Sequence, residues 1–242
     1  MNIEFFIFNW KHARHAARLE AILRPFGRVA VINSDPACAG RGWVDLGDDA
    51  YFAAQWNAAL ARRAPMADVM FHVQADAYSD DLPRIIDRAA TLFDRFHWGV
   101  FAPNVDYTWH VARTDELEPG VWTVPLTDST CWALHRDVVA MGPDSFPGRY
   151  GWGIDWTYCE LSRAIGRPVI RDYTYTVDHP RQRNYSDASA EPEYKRVAAA
   201  LRKYLAAVPA SERSSRRFVV EDYLNPSVLT RVAAWLPRKF RS

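Results

Sequence analysis

The sequence has little of what marks secreted, membrane-spanning or nucleic-acid-binding proteins. Its three cysteines, Cys38, Cys131 and Cys159, are an odd number without CxxC spacing, which favours a reducing compartment. Thirty basic and twenty-nine acidic residues leave a net charge of +1, so no nucleic-acid partner is expected. No stretch approaches the ~20 apolar residues that span a bilayer. The N-terminal basic residues follow the apolar run, the wrong order for a secretory signal. We therefore expect a cytoplasmic protein.

Common catalytic motifs are missing as well. The stretch AGRGW, 39–43, has neither the Lys-Ser/Thr of a P-loop nor GxGxxG spacing, and no GxSxG indicates a serine hydrolase. NWKHARH, 9–15, has no glycine, which disfavours a nucleotidyltransferase with a phosphate loop after its first strand. His12 and His15 in this stretch are spaced HxxH on a basic helix without an accompanying acid, and we interpret them as a solvated face rather than a zinc site.

What the sequence does have is enough apolar residues, 49% of the chain, for one large domain. Short apolar runs alternate with segments whose apolar residues recur at helical spacing. The predicted strands include 3–8, 28–33, 67–73, 97–103 and 168–177, with helices over 11–24, 48–64, 80–96 and up to 165. This alternation predicts an α/β fold with a single Rossmann-like, mixed but mostly parallel sheet flanked by helices. Ligands are expected beyond the carboxyl ends of the strands.

A cluster of acids follows the third predicted strand, in FHVQADAYSDD at 71–81. Ser79, Asp80 and Asp81 directly precede Leu82-Pro83 and are interpreted as helix caps. Asp76 comes too early to cap that helix, and Gln74 would point to the same side as Asp76 if the strand continues that far. A metal or ligand role for Asp76 is therefore favoured over a capping role.

A second group of polar residues lies downstream, in GWGIDW at 151–156 and TVDHP at 176–180. The glycines on both sides of Trp152 would let the backbone approach a ligand closely. Asp155 stands at the start of a helix, where it is either a functional carboxylate or an N-cap. His179 follows a strand end and precedes Pro180, which favours an extended loop.

These segments, in this order, resemble nucleotide-sugar-dependent glycosyltransferases of the GT-A fold, in particular the family 2 type and its galactosyltransferase-like relatives. The resemblance covers about residues 3–185. VAVINSD resembles the second strand, YFAAQWNAAL the Asn-bearing helix beside the nucleotide, VQADAYSDDL the DxD segment, and TDSTCWALHR the acceptor-side strand. The closest match is FPGRYGWGIDWTYCELSRAIGRPVIRDYTYTVDHP, 146–180.

The resemblance implies a role for each matching residue. The predicted nucleotide-binding residues are Asn9, Asn33, Asp35, Asn57, Gln74 and Asp76. Asp76 and His179 would hold Mn²⁺ or Mg²⁺, and Asp155 would be the catalytic base. The acceptor would contact Trp152, Trp156 and Asp128. Gln74 replaces the first acid of the DxD pattern, although a glutamine amide can still hydrogen-bond a ribose hydroxyl.

The resulting hypothesis is an inverting, metal-dependent transfer of a sugar from a UDP-sugar to a hydroxyl group of a glycan or lipid-linked acceptor in polysaccharide biosynthesis. The alternative is a catalytically silent GT-A-like protein that binds nucleotide sugars or glycans, which the glutamine at position 74 favours.

The predicted domain ends at residue 224, and 225–242 form a C-terminal amphipathic, basic tail. In this tail Val228, Leu229, Val232, Trp235 and Leu236 share one helical face ahead of three basic residues. Two interpretations are equally favoured: a helix docked on the body of the protein, or a peripheral contact with the anionic inner face of a membrane.

Overall fold

The computed structural model describes residues 1–106, 112–180 and 185–224. The predicted C-terminal tail, 225–242, lies outside these ranges. The described strands are β1 (Ile3–Asn9), β2 (Gly27–Asn33), β3 (Val44–Asp45), β4 (Val69–Gln74), β5 (Val100–Val105), β6 (Glu116–Glu118), β7 (Val121–Thr123), β8 (Cys131–His135) and β9 (Val169–Val177). The α-helices are α1 (Ala13–Leu23), α2 (Phe52–Arg62), α3 (Leu82–Phe96), α4 (Arg136–Met141), α5 (Ile154–Ala164), α6 (Asp187–Ala207) and α7 (Val220–Leu224).

All nine described strands form one sheet, in the order β3-β2-β1-β4-β8-β5-β9-β7-β6. Only β7 and β8 run against the other seven strands in these ranges. The predicted mixed, mostly parallel sheet is therefore confirmed. None of the described helices has both the length and the apolar character that crossing a bilayer requires.

The central strands are buried on both faces because helices cover each side of the sheet. All seven residues of β1 are buried, which explains why its sequence is mostly apolar rather than alternating; the buried Glu4 forms an ion pair with Arg28. Phe6 and Phe8 join a core with α2, α5 and α6, whereas Phe5 and Ile7 pack with α1 and α3 on the opposite face. The aromatic content therefore largely fills two cores.

Helix boundaries differ from the predicted ones where turns compete with helical periodicity. α2 begins at Phe52 rather than at residue 48, after a turn in which Gly47 has a φ of 84°. α3 begins at Leu82, with Asp81 at the N-cap position but without a side-chain capping bond. Asp81 instead forms an ion pair with Arg84. The predicted position of Asp81 at the N-cap is therefore confirmed, but its side chain does not form the predicted capping hydrogen bond.

The chain segments that follow β4 and β9 meet beyond the carboxyl ends of these strands. The backbone groups of Tyr78 and Asp178 exchange two hydrogen bonds of 2.8 Å, which form an isolated antiparallel bridge. This bridge fixes the loop after β4 against the loop after β9. It brings Asp76 and His179 together although they are far apart in sequence.

Candidate active site

A cavity of about 580 Å³ opens beyond the carboxyl ends of β1 and β4. Its wall combines acids and histidines with a large aromatic surface. The titratable residues other than tyrosine are His12, Asp48, Asp76, Asp128, Asp155 and His179. The tryptophans and tyrosines are Trp10, Tyr51, Tyr150, Trp152, Trp156, Tyr185 and Tyr194. The predicted residues Gln74, Asp76, Asp128, Trp152, Asp155, Trp156 and His179 therefore share one cavity.

Asp76, Gln74 and His179 form a compact polar group. The Nε2 atom of His179 lies 3.2 Å from Asp76 Oδ1 and 3.2 Å from Gln74 Oε1. Partial burial acts to raise the pKa of Asp76, but the hydrogen bond and charge of His179 outweigh burial and bring this pKa below its ordinary value. Asp76 is therefore held in its ionised form.

The side-chain separations in the same group can be compared with those of ligands around a divalent cation. Oxygen ligands of Mg²⁺ lie ~2.0–2.1 Å from the ion at right angles, which places neighbouring ligand atoms about 3 Å apart. The atoms of Asp76 and His179 are at this separation. Within the described ranges no three His, Cys, Asp or Glu side chains form a metal cluster. The protein would thus supply two or three donors, and substrate oxygens and water would complete the coordination.

Asp155 lies in the first turn of α5 and faces the same cavity. The N-cap of α5 is Gly153, which has a φ of 99°, so the capping interpretation of Asp155 is wrong. Its Oδ1 accepts a hydrogen bond of 2.7 Å from the backbone N–H of Trp156. Burial, followed by the negative charge of Asp128, raises the pKa of Asp155 to about 6 despite that hydrogen bond. A carboxyl group with this pKa is ionised at neutral pH and accepts protons more readily than an ordinary aspartate.

An aromatic wall adjoins Asp155. The Nε1 atom of Trp152 donates to the hydroxyl of Tyr185 at 3.1 Å, and the rings of Tyr185 and Tyr150 lie 4.3 Å apart. Trp156 packs edge-on against Tyr194. Sugar rings present apolar faces that suit such side chains. The wall is consistent with the predicted acceptor role of Trp152 and Trp156.

The glycines beside Trp152 pack closely against other parts of the protein. A Cβ atom at Gly151 would lie 2.5 Å from Phe52 Cδ1, and one at Gly153 would lie 3.2 Å from Val197. Both glycines also have positive φ, which other residues rarely adopt. Both glycines line the cavity as well, so a close approach of their backbone to a ligand stays a prediction.

Sequence reasoning missed a buried acid that holds this glycine-rich loop. Glu193 on α6 is buried, and its carboxylate accepts hydrogen bonds from the backbone N–H groups of Arg149, Tyr150 and Gly151. The loop that carries Tyr150 and Trp152 into the cavity is thus fixed by one side chain. Its only sequence signal was an acid within a helix of mixed polarity, which is typical of a solvated face.

Four predicted nucleotide-binding residues do not line the cavity, namely Asn9, Asn33, Asp35 and Asn57. Asn9 and Asn33 are buried and joined by a hydrogen bond of 2.8 Å. Asp35 accepts from the N–H of Ala37, and Asn57 exchanges two hydrogen bonds with the backbone of Phe146. Their amide and carboxylate groups serve local structure, so the structure does not support contact with a nucleotide.

The interpretation of His12 and His15 as a solvated face is wrong. His12 lines the cavity, and the hydroxyl of Tyr78 lies 3.4 Å from its Nδ1. His15 is half-buried, with Nε2 3.0 Å from the carbonyl oxygen of Ala77. His12 lies at the start of the predicted helix 11–24, a few residues after the first predicted strand, and this position could have indicated the cavity because ligands bind at strand carboxyl ends.

No protein-family model matches the chain, and no curated protein matches it. Several solved structures match the chain in fold. GalNAc-T7 with UDP, GalNAc and Mn²⁺ aligns at a TM-score of 0.57 and 9% identity, over 98% of this chain and 58% of that one. TarS of S. aureus aligns at a TM-score of 0.58 and 13% identity, over 88% of this chain and 41% of TarS. Glucosyl-3-phosphoglycerate synthase of Mycobacterium tuberculosis with Mg²⁺ and UDP aligns at a TM-score of 0.53 and 12% identity, over 86% of this chain and 80% of the synthase.

These neighbours are GT-A glycosyltransferases, and their likeness to this chain extends over most of its length. The chain therefore has the GT-A glycosyltransferase fold, as its sequence motifs indicated. It spans about three fifths of the first neighbour and two fifths of the second. At these identities the likeness defines the fold and leaves the reaction to be argued from the site.

Proposed function

We propose that this protein is a metal-dependent glycosyltransferase that moves a sugar from a UDP-sugar to a hydroxyl group of an acceptor. The observation that carries the proposal is the pair of oppositely tuned aspartates on one cavity. The pKa of Asp76 is lowered beside His179, and the pKa of Asp155 is raised to about 6. Two carboxyl groups whose environments separate their pKa values are typical of sites that divide chemical roles between them.

Asp76 and His179, with Gln74 beside them, would hold Mn²⁺ or Mg²⁺ on the diphosphate of the donor. A divalent cation at that position neutralises the charge that develops as the diphosphate leaves. GalNAc-T7 and the mycobacterial synthase were crystallised with UDP and such a metal, which supports a UDP-sugar and the same ions here. Gln74 is suited to hydrogen-bond a ribose hydroxyl through its amide.

Asp155 would accept the proton of the acceptor hydroxyl as that oxygen attacks the anomeric carbon. One base without a protein nucleophile gives inversion at this carbon. The adjoining rings of Trp152 and Trp156, with Asp128, would bind the acceptor, for which we propose a glycan or lipid-linked saccharide in polysaccharide biosynthesis. The partial burial of Asp155 supports this role, because it raises the pKa of the carboxyl group and so strengthens the carboxylate as a proton acceptor.

We further propose that residues 1–224 act as one GT-A domain in the cytoplasm and that the basic tail, 225–242, permits peripheral contact with a membrane. The amphipathic sequence of this tail supports the contact. Co-sedimentation with anionic vesicles, compared between the full chain and a chain that ends at residue 224, tests it. Equal binding of both chains would contradict the membrane role.

A catalytically silent nucleotide-sugar-binding protein is the second candidate, and it rests on one observation. Gln74 replaces an acid beside the candidate metal ligands, so the protein contributes one negative charge there instead of two. A site with less negative charge binds a divalent cation more weakly, which would slow the departure of the diphosphate.

Calorimetric titration with UDP, GDP and dTDP, with and without Mn²⁺, tests the donor assignment. We expect UDP to bind most tightly and only with the metal present. An assay for hydrolysis of UDP-sugars then separates the two candidates, because a silent protein binds the donor without cleaving it. Metal-independent binding, or no nucleotide binding, would contradict the proposal.

A further inference from the structure

A fully buried arginine lies close to the cavity wall. Arg171 on β9 is 0% exposed, and its Nη2 donates to the carbonyl oxygen of Val105 at 3.1 Å and to Asn104 Oδ1 at 3.3 Å. A guanidinium group stays charged in proteins. A buried charge is costly unless an opposite charge lies nearby. Arg171 therefore requires an anion close to its guanidinium group.

Asp128 supplies a carboxylate at this position and also lines the cavity. Its Oδ2 lies 3.8 Å from Arg171 Nη1, and its Oδ1 accepts a hydrogen bond of 2.9 Å from the N–H of Thr130. Among the described residues, Oδ2 accepts no hydrogen bond although it is buried. The two contacts orient the Asp128 side chain, which connects the buried cation to the cavity.

Asp128 and Asp155 are both on the wall of this cavity. After burial, the negative charge of Asp128 is the next cause that raises the pKa of Asp155. Cys159 lies one turn further along α5. The other titratable side chains on the cavity wall are His12, Asp48, Asp76, His179, Tyr51, Tyr150, Tyr185 and Tyr194.

We infer that Arg171 and Asp128 form a positioning pair that holds a fixed negative charge beside Asp155 and thereby sets the strength of Asp155 as a base. Arg171 does not line the cavity and acts on it through Asp128. The catalytic meaning of this inference rests on the proposed function. The pair itself, and its effect on Asp155, are properties of the folded protein that can be measured without turnover.

A carbon-13 NMR titration of the full chain, labelled at aspartate carboxyl carbons, tests the effect directly. The signal of Asp155 is assigned by its loss in Asp155→Asn. We expect Asp128→Asn to lower the midpoint of the Asp155 titration by at least ~0.5 pH, because a nearby like charge is removed. Asp137→Asn is the matched control, since Asp137 also pairs with an arginine, Arg167, but is outside the cavity wall.

The control variant should leave the Asp155 midpoint where it is in the wild type. An unchanged or higher midpoint in Asp128→Asn, or an equal change in Asp137→Asn, would overturn the inference.

A thermal double-mutant cycle tests the pairing of Arg171 with Asp128. Asp128→Asn alone leaves a buried cation without its carboxylate, and Arg171→Met alone leaves the carboxylate without its cation, so both should lower the melting temperature. The double variant Asp128→Asn/Arg171→Met removes both charges and should melt above either single variant. It should also show the lowered Asp155 midpoint, which keeps the test valid if the single variant does not fold. Additive losses of melting temperature would contradict the pairing.

Hydrolysis of the UDP-sugar by water separates this inference from the proposed function. If the wild type hydrolyses no nucleotide sugar, the proposed function fails, while the NMR titration still decides whether the pair tunes Asp155. If it does hydrolyse the donor, the acid limb of kcat/KM should move to lower pH in the double variant, by the change seen in the titration. An acid limb that stays in place would show that the pair does not set the strength of the base.

Discussion

Asp76 and Asp155 line the same cavity but lie in opposite surroundings. Asp76 follows the end of a strand, touches His179, and has a lowered pKa. Asp155 sits in the first turn of a helix, receives one backbone hydrogen bond, and has a pKa raised to about 6. The difference shows that partners and solvation, rather than residue type, decide what a carboxylate can do. Asp76 is suited to hold a cation and Asp155 to accept a proton.

The largest expected effect comes from removing Asp155, the proposed proton acceptor. Asp155→Asn keeps the size of the side chain and one acceptor oxygen, but the amide cannot take a proton from the acceptor hydroxyl. Sugar transfer should fall by ~10²–10⁴. Initial rates at saturating donor and acceptor measure this. Near-normal turnover would remove Asp155 from the mechanism and make Asp128 the next carboxylate to test.

The loop on the Asp155 side should depend on Glu193. Glu193→Ala leaves the N–H groups of Arg149, Tyr150 and Gly151 without their acceptor. Each N–H group that loses its acceptor costs at most ~1–3 kcal/mol, because water can partly replace the carboxylate. The free energy of unfolding should therefore drop by about 2–4 kcal/mol in total. Chemical denaturation measures the drop.

Glu191→Ala on the same helix is the control for Glu193→Ala. Glu191 is exposed and pairs only with Lys195 in the described part of the chain, an exposed ion pair worth ~0–1 kcal/mol. If the two variants are equally stable, the loop is not held by Glu193. Although Glu193→Ala should destabilise the loop, its affinity for UDP should equal that of the wild type, because the substitution does not touch the Asp76 side of the cavity.

The raised pKa of Asp155 should also appear as a pH-dependent stability difference. An unfolded aspartate titrates near ~3.9, and the folded value is about 6. Ionised Asp155 therefore destabilises the fold above pH ~6, and this cost disappears as the pH falls through the folded and then the unfolded pKa. Asp155→Asn should exceed the wild type in unfolding free energy by on the order of 1–3 kcal/mol near neutral pH. Denaturation at several pH values measures the difference, and a gain that does not shrink on acidification would contradict the raised pKa.

The smallest expected effect concerns the aromatic wall. Trp152→Phe keeps a ring but loses the hydrogen bond from Nε1 to the Tyr185 hydroxyl. Acceptor KM should rise by ~2–10-fold, as expected for one hydrogen bond of ~0.5–1.5 kcal/mol, with kcat and UDP affinity unchanged. Tyr185→Phe removes the same bond from its other end. If the double variant is as impaired as either single variant, the bond is the cause, whereas additive losses would assign the effect to ring contacts.

The sequence predicted the sheet and seven of the residues that line the cavity, because both depend on local patterns. Apolar runs with intervening helical periodicity are sufficient for an α/β sheet, and strand ends locate its ligand edge. Asp76, Asp155 and His179 could be selected because each follows a strand or begins a helix. Their meeting could be inferred only from the order of motifs, since residues 76 and 179 are joined by loop contacts between distant strands.

The sequence could not show which polar side chains bond to other protein groups instead of lining the cavity. Asn9, Asn33 and Asn57 were equally well placed along their elements, yet they bond to each other or to backbone. Glu193 and Arg171 carry no local signal, because burial of a charged residue depends on partners far along the chain. The sequence alone therefore could not separate ligand-facing polar residues from those that satisfy the interior.

The division of roles between the two aspartates is tested most directly by calorimetric titration of UDP into Asp76→Asn and Asp155→Asn in parallel, with Mn²⁺ present. Asp76→Asn should weaken UDP binding by at least ~10-fold, because the proposed metal ligand is lost, whereas Asp155→Asn should bind UDP as the wild type does. Without metal, the two variants should not differ. Wild-type affinity in Asp76→Asn, or equal loss in both variants, would contradict the account.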